Sequence, residues 1–125
     1  MNPHDAIEIA VATRYLDDQS EPDNDRYVFA YTIQIRNRGE VAARLLTRHW
    51  LIVDALGFPQ EVRGFGVVGE QPMLQPGDTF EYTSGTILQT ECGTMQGHYG
   101  MQSEDGEQFD VPIPPFTLSM TRTLH

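Results

Sequence analysis

Between Gly64 and Gly69 the chain reads Gly-Phe-Gly-Val-Val-Gly, the letters of a GxGxxG dinucleotide fingerprint. That chemistry requires the motif to end a strand and open a helix, whose N-terminus then holds a pyrophosphate. Pro72 and Pro76 follow within a few residues, Val67-Val68 favours extended chain, and no helical period begins. Gly64, Phe65, Gly66, Val67, Val68, Gly69 and Pro72 therefore read as a shaped interaction loop, with glycines that permit tight or positive-φ backbone. The alternative is a loop that binds a nucleotide, a pyrophosphate or a divalent cation directly.

Other reactive side chains form no pattern. His4, His49, His98 and His125 are isolated, with no H-x-H, H-x-x-x-H or C-x-x-C spacing, so no metal ligand and no cofactor is assigned. Ser84 precedes Gly85 but lies outside a G-x-S-x-G elbow, and Cys92 has no His or Asn at diagnostic spacing. No catalytic residue is assigned and the chain reads as a non-enzyme. Asp17–Asp25 lacks the glycine and terminal glutamate of an EF-hand and reads as a solvated acidic connection. Glu104, Asp105, Glu107 and Asp110 read as an exposed hairpin tip. Arg36, Arg38, Arg44 and Arg48 could make a basic stripe, although pairing with acidic neighbours is the simpler account.

Eighteen acidic residues against eight basic ones, all Arg, give a net charge of −10. Such a chain repels phosphate backbones, so nucleic acid is not an expected partner. A single cysteine among 125 residues allows no intrachain disulfide and fits a reducing cytosol. The first residues show neither a basic start nor a long apolar run, so no signal peptide and no membrane insertion is expected.

The elements that must position the loop are strands. Residues 1–125 read as one domain with a loose Met1–Ala6. Ile7, Ile9, Val11, Thr13 and Tyr15 mark one strand face; Tyr27, Phe29, Tyr31, Ile33 and Ile35 mark the next. Val41–Leu56 could be written as a helix, but its neighbours are strands. Read as extended, it places Leu46, Trp50 and Ile52 on one face and Leu45, Leu51 and Val53 on the other. Trp50 is then the core plug of a sandwich. Gln75-Pro76-Gly77-Asp78 reads as a type II turn, and Phe80–Gln89 as a strand bent at Ser84-Gly85. Met95, Gly97, Tyr99 and Met101 mark an inner face. Asp105-Gly106 reads as a two-residue primed hairpin turn, leading to Phe109–Ile113 at an edge or corner marked by Pro112, Pro114 and Pro115. Seven to eight such strands predict an all-β antiparallel sandwich. An exposed edge strand would permit self-pairing into a homodimer.

GFGVVGEQPMLQPGDTFEYTSG from Gly64, together with Arg48-His49-Trp50, Asp54, GTMQGHYGM (Gly93–Met101) and FDVPIPPFTL (Phe109–Leu118), resembles the ApaG family of small bacterial proteins. The resemblance implies an immunoglobulin/fibronectin type III-like topology with no assigned enzymatic activity, while the lone cysteine and the lack of a signal peptide make a cytoplasmic location the expectation. The family, also called CorD, is associated with cobalt resistance and magnesium efflux. Similar domains appended to eukaryotic F-box and polymerase-interacting proteins look like interaction modules, which implies a protein partner, its identity unknown. The resemblance carries over no catalytic or metal-binding residue, and Cys92 is where a departure from the family pattern is expected.

Overall fold

The alternation of apolar and polar residues is realised as eight strands, all paired antiparallel, in a computed structural model that describes residues 3–120. They are β1 (Ile7–Tyr15), β2 (Tyr27–Asn37), β3 (Ala43–Asp54), β4 (Pro59–Phe65), β5 (Met73–Leu74), β6 (Thr79–Leu88), β7 (Cys92–Ser103) and β8 (Gln108–Ser119). One sheet has the order β1-β2-β6 and the other β4-β3-β7-β8, with the short β5 paired to β3. The molecule is thus the expected immunoglobulin/fibronectin type III-like sandwich. Among the described residues no helix is long and apolar enough to cross a membrane. Pro3–Ala6, expected to be loose, forms a 3-10 turn, and Asp17–Asp25 contains two more. Met1, Asn2 and His125 lie outside the described residues.

The core lies between the sheets. Phe29, Ile33 and Ile35 of β2 face Leu45, Trp50 and Ile52 of β3 and Met95, Tyr99 and Met101 of β7. Trp50 is the plug, with ring centroids 5.5 Å from Tyr31, 5.8 Å from Phe116 and 6.3 Å from Tyr99 in edge-on contacts. Edge-on packing suits the ring quadrupoles and adds to the large apolar area each ring removes from water.

Strict alternation fails at one residue of β3. The pairing with β7 slips between Leu45 and Thr47, so Leu46 is the extra residue of a bulge. The bulge reverses the faces: Leu45, not Leu46, joins Trp50 and Ile52 in the core. A second slip, between Met95 and Gly97, places Pro114-Pro115 where β8 breaks register with β7, at the sheet edge the prolines marked.

The type II turn forms as read, with Gly77 at φ 91° and the Asp78 N–H donating to Gln75 O at 2.9 Å. The hairpin tip differs. Gly106 N–H donates to Ser103 O and Ser103 N–H to Glu107 O, both at 2.8 Å, and Gly106 alone has positive φ there. This is a three-residue loop with the pattern of a type I turn closed by a glycine bulge, because Asp105 does not take the positive φ that a primed turn needs.

Candidate functional site

β4 pairs with β3 from Phe65 opposite Thr47 to Pro59 opposite Val53, and the glycine loop starts where this pairing ends. Gly64 lies across from Arg48, and a Cβ there would fall within 2.6 Å of the guanidinium. The missing side chain lets Arg48 reach past the strand, where Nη1 donates to Phe65 O and Gly66 O at 3.0 Å each. Gly66, at φ 67°, donates its N–H to Leu46 O at 2.8 Å, and a Cβ on it would strike the Glu70 carbonyl.

The next four residues close on themselves. Val67 N–H donates to Glu70 O at 2.8 Å and Glu70 N–H to Val67 O at 2.9 Å, with Val68 at φ 44° and Gly69 at φ 82°. Two successive positive φ values inside a reciprocal pair define a type I′ turn. The primed turn expected at Asp105-Gly106 therefore sits at Val68-Gly69. Val68 is a β-branched residue in left-handed backbone, a conformation such side chains avoid. Beyond the turn, Gln71 Nε2 donates to Leu46 O at 2.9 Å and Pro72 O accepts from Leu45 N–H at 3.0 Å. The bulge at Leu46 supplies the carbonyl that holds both ends of the loop.

Val67 and Leu74 are buried and anchor the loop, while Phe65 (81% exposed), Val68 (54%) and Met73 (39%) face solvent. Gly64, Phe65, Gly66, Val67, Val68, Gly69 and Pro72 thus form one pinned segment that shows apolar side chains outward. None of 70 to 80 is helical; β5 and the type II turn occupy that stretch, so the GxGxxG letters open no helix.

Beneath the loop lies a cavity of about 190 Å³ lined by Tyr31, Arg48, Trp50, Val67, Tyr82 and Ser84, with Val68 and Gly69 at its rim. Among the described residues that line it there is no carboxylate, imidazole or thiol. Burial pushes the Tyr31 phenol above its ordinary range, outweighing the Ser84 hydroxyl and Arg48, which pull it down. Burial likewise raises Tyr82. Phenols of this kind stay protonated and donate hydrogen bonds; they do not abstract protons. A larger cleft of about 430 Å³ lies beside Asn37 and Ser103. Asn37 is already satisfied there, donating to Val41 O and Leu74 O and accepting from Gly39 N–H.

The histidines, isolated in sequence, are partly gathered by the sheet. His49 stands opposite His98 with ring centroids 5.0 Å apart, and its Nε2 lies 2.8 Å from Glu61. His49 first, then Arg63, hold the Glu61 carboxyl below its ordinary range. Only the strand register could reveal this cluster. His4 pairs with its neighbour Asp5. Among the described residues no group of three or more His, Cys, Asp or Glu is arranged to hold a metal ion. The arginines divide between the sheets, Arg36 on β2 and Arg44 and Arg48 on β3, with Arg38 following β2 and bound to Glu8 at 2.9 Å. Cys92 is a free thiol, half-buried at the start of β7. At the hairpin tip, Asp105 accepts from the Ser103 hydroxyl at 2.5 Å and Glu107 N–H at 3.2 Å, which lowers its carboxyl.

The family model of the ApaG domain matches residues 17–103. The chain is 62% identical to Protein ApaG of Thiobacillus denitrificans over 119 residues, covering 95% of this chain and 94% of that protein. It is 58% identical to Protein ApaG of Stenotrophomonas maltophilia over 120 residues, covering 96% and 94%. Among solved structures, the putative ApaA protein from Bordetella pertussis superposes with a TM-score of 0.91 at 51% identity, covering 94% of this chain and 95% of that one.

Proposed function

The chain belongs to the ApaG family, and from that premise we propose that it is a cytoplasmic, non-enzymatic protein-interaction module whose docking element is the loop from Gly64 to Pro72. One observation carries this reading: Phe65 and Val68 are turned to solvent on a backbone pinned from beneath by Arg48, Gln71 and the Leu46 carbonyl. A loop already fixed in shape loses little conformational freedom on binding, and its exposed apolar side chains supply the contact area. The cobalt and magnesium phenotypes associated with the family then run through a partner that handles the ion.

The experiment is affinity capture from the native cell with three baits: the wild-type chain, Phe65→Ser/Val68→Ser, and Gly66→Val. A partner retained by wild type and lost by both variants, while circular dichroism shows folded β-sheet, supports the reading. A capture profile that ignores these changes sinks it. Calorimetry with Co²⁺ and Mg²⁺ tests the ion route separately; heat of binding by the isolated chain would displace the indirect route.

A further inference from the structure

The edge next to this loop is β4, and its backbone has a parity that the ladder fixes. Gly66 N–H donates to Leu46 O, and at the other end Asp54 N–H donates to Phe58 O. With the β3–β4 register unbroken between them, Gln60, Val62 and Gly64 turn their N–H and C=O groups toward β3. Pro59, Glu61, Arg63 and Phe65 turn theirs to the free edge.

We propose that this edge pairs with the same edge of a second copy, antiparallel, about a two-fold axis through Val62. In that register Glu61 lies opposite Arg63 of the other copy, Val62 opposite Val62, and Pro59 opposite Phe65. Glu61 and Arg63 exchange both backbone hydrogen bonds with their counterparts, and the side-chain charges meet with opposite sign. The ends also match. Pro59 has no N–H to give, and the Phe65 carbonyl that would need it already accepts from Arg48 Nη1 at 3.0 Å. Phe65 N–H remains free to donate to Pro59 O across the axis.

Two further features select this edge. Within 55–69 the only charged residues are Glu61 and Arg63, so the segment is neutral in a chain of net charge −10. Like-charge repulsion between copies is weakest there. Leu56, Phe58, Phe65 and Val68, all highly exposed, fall in the same segment. The other candidate edges are less suited: β8 carries Pro112, Pro114 and Pro115, β6 carries one charge of one sign, and β1 is bracketed by Asp5 and the acidic Asp17–Asp25. The proposal shares Phe65 and Val68 with the partner reading above but is tested apart from it, since its readout is pairing of the β4 backbone edge with a second copy of this chain.

Sedimentation of the full chain over a wide concentration range tests it, with Arg63→Glu, Glu61→Arg and the exchange Glu61→Arg/Arg63→Glu. Both side chains are exposed, at 51% for Glu61 and 71% for Arg63, so the fold should survive. Each single reversal should weaken dimerisation by about tenfold or more, and the exchange should restore it. Amide exchange gives a second reading: Glu61, Arg63 and Phe65 should gain protection with concentration, while Val62 and Gly64 stay protected throughout. A monomer at all concentrations, a dimer indifferent to charge reversal, or concentration-dependent protection in β1 instead would each overturn the proposal.

Discussion

The hydroxyls of Tyr82 and Tyr99 meet at 2.5 Å in the core, joining β6 of one sheet to β7 of the other. Both rings are buried, so each hydroxyl depends on its counterpart. Tyr99→Phe or Tyr82→Phe alone strands one buried hydroxyl and should cost about 1–3 kcal/mol. The double Phe variant should cost less than the sum of the singles, because neither hydroxyl is then left unmatched. Urea denaturation of the four proteins in the cycle measures this coupling.

Alkaline pH should destabilise the fold through the same residues. Burial holds the Tyr31, Tyr82 and Tyr99 phenols above their ordinary value of 10.0 in the folded chain. The unfolded chain releases these protons first, so their contribution is fully present below about pH 10 and is lost as pH rises beyond it. Stability measured by urea between about pH 8 and 11 should fall above 10, and less steeply for the double Phe variant.

Val68 occupies left-handed backbone at φ 44°, followed by Gly69 at φ 82°. Asn-Gly is the favoured pair for a type I′ turn, so Val68→Asn should stabilise the chain by about 1 kcal/mol. If Val68 is retained for docking, the same variant should capture the partner less well. Thermal denaturation and affinity capture, run side by side, separate the two effects.

The bulge at Leu46 makes adjacent leucines unequal. Leu45→Ala opens a cavity at a fully buried site and should cost about 2–5 kcal/mol. Leu46 is only half-buried, so Leu46→Ala should cost about 1 kcal/mol or less. Unbroken alternation would give the reverse order, and urea midpoints of the two variants distinguish them.

Much of this was legible in residue type. Tyr27–Arg36 alternates so regularly that its strand and buried face follow from pattern alone. Gln75-Pro76-Gly77-Asp78 names its turn, because proline and glycine restrict φ in opposite ways. Pro112, Pro114 and Pro115 announced an edge, since a residue without an N–H cannot serve an inner strand. At Asp105-Gly106 the same reasoning misled, because one glycine also suits a type I turn with a bulge.

What the chain alone determined was a β-sandwich with a loop too rich in proline to start a helix, since these follow from local stereochemistry and period. The tertiary structure decided the rest. The Leu46 bulge reverses the faces of β3, and the primed turn falls on Val68, where sequence rules place few valines. Arg48 spans the gap at Gly64 to grip two carbonyls, and His49 meets Glu61 across the sheet. Each of these depends on which residues stand opposite one another, a property of register between strands that local sequence does not encode.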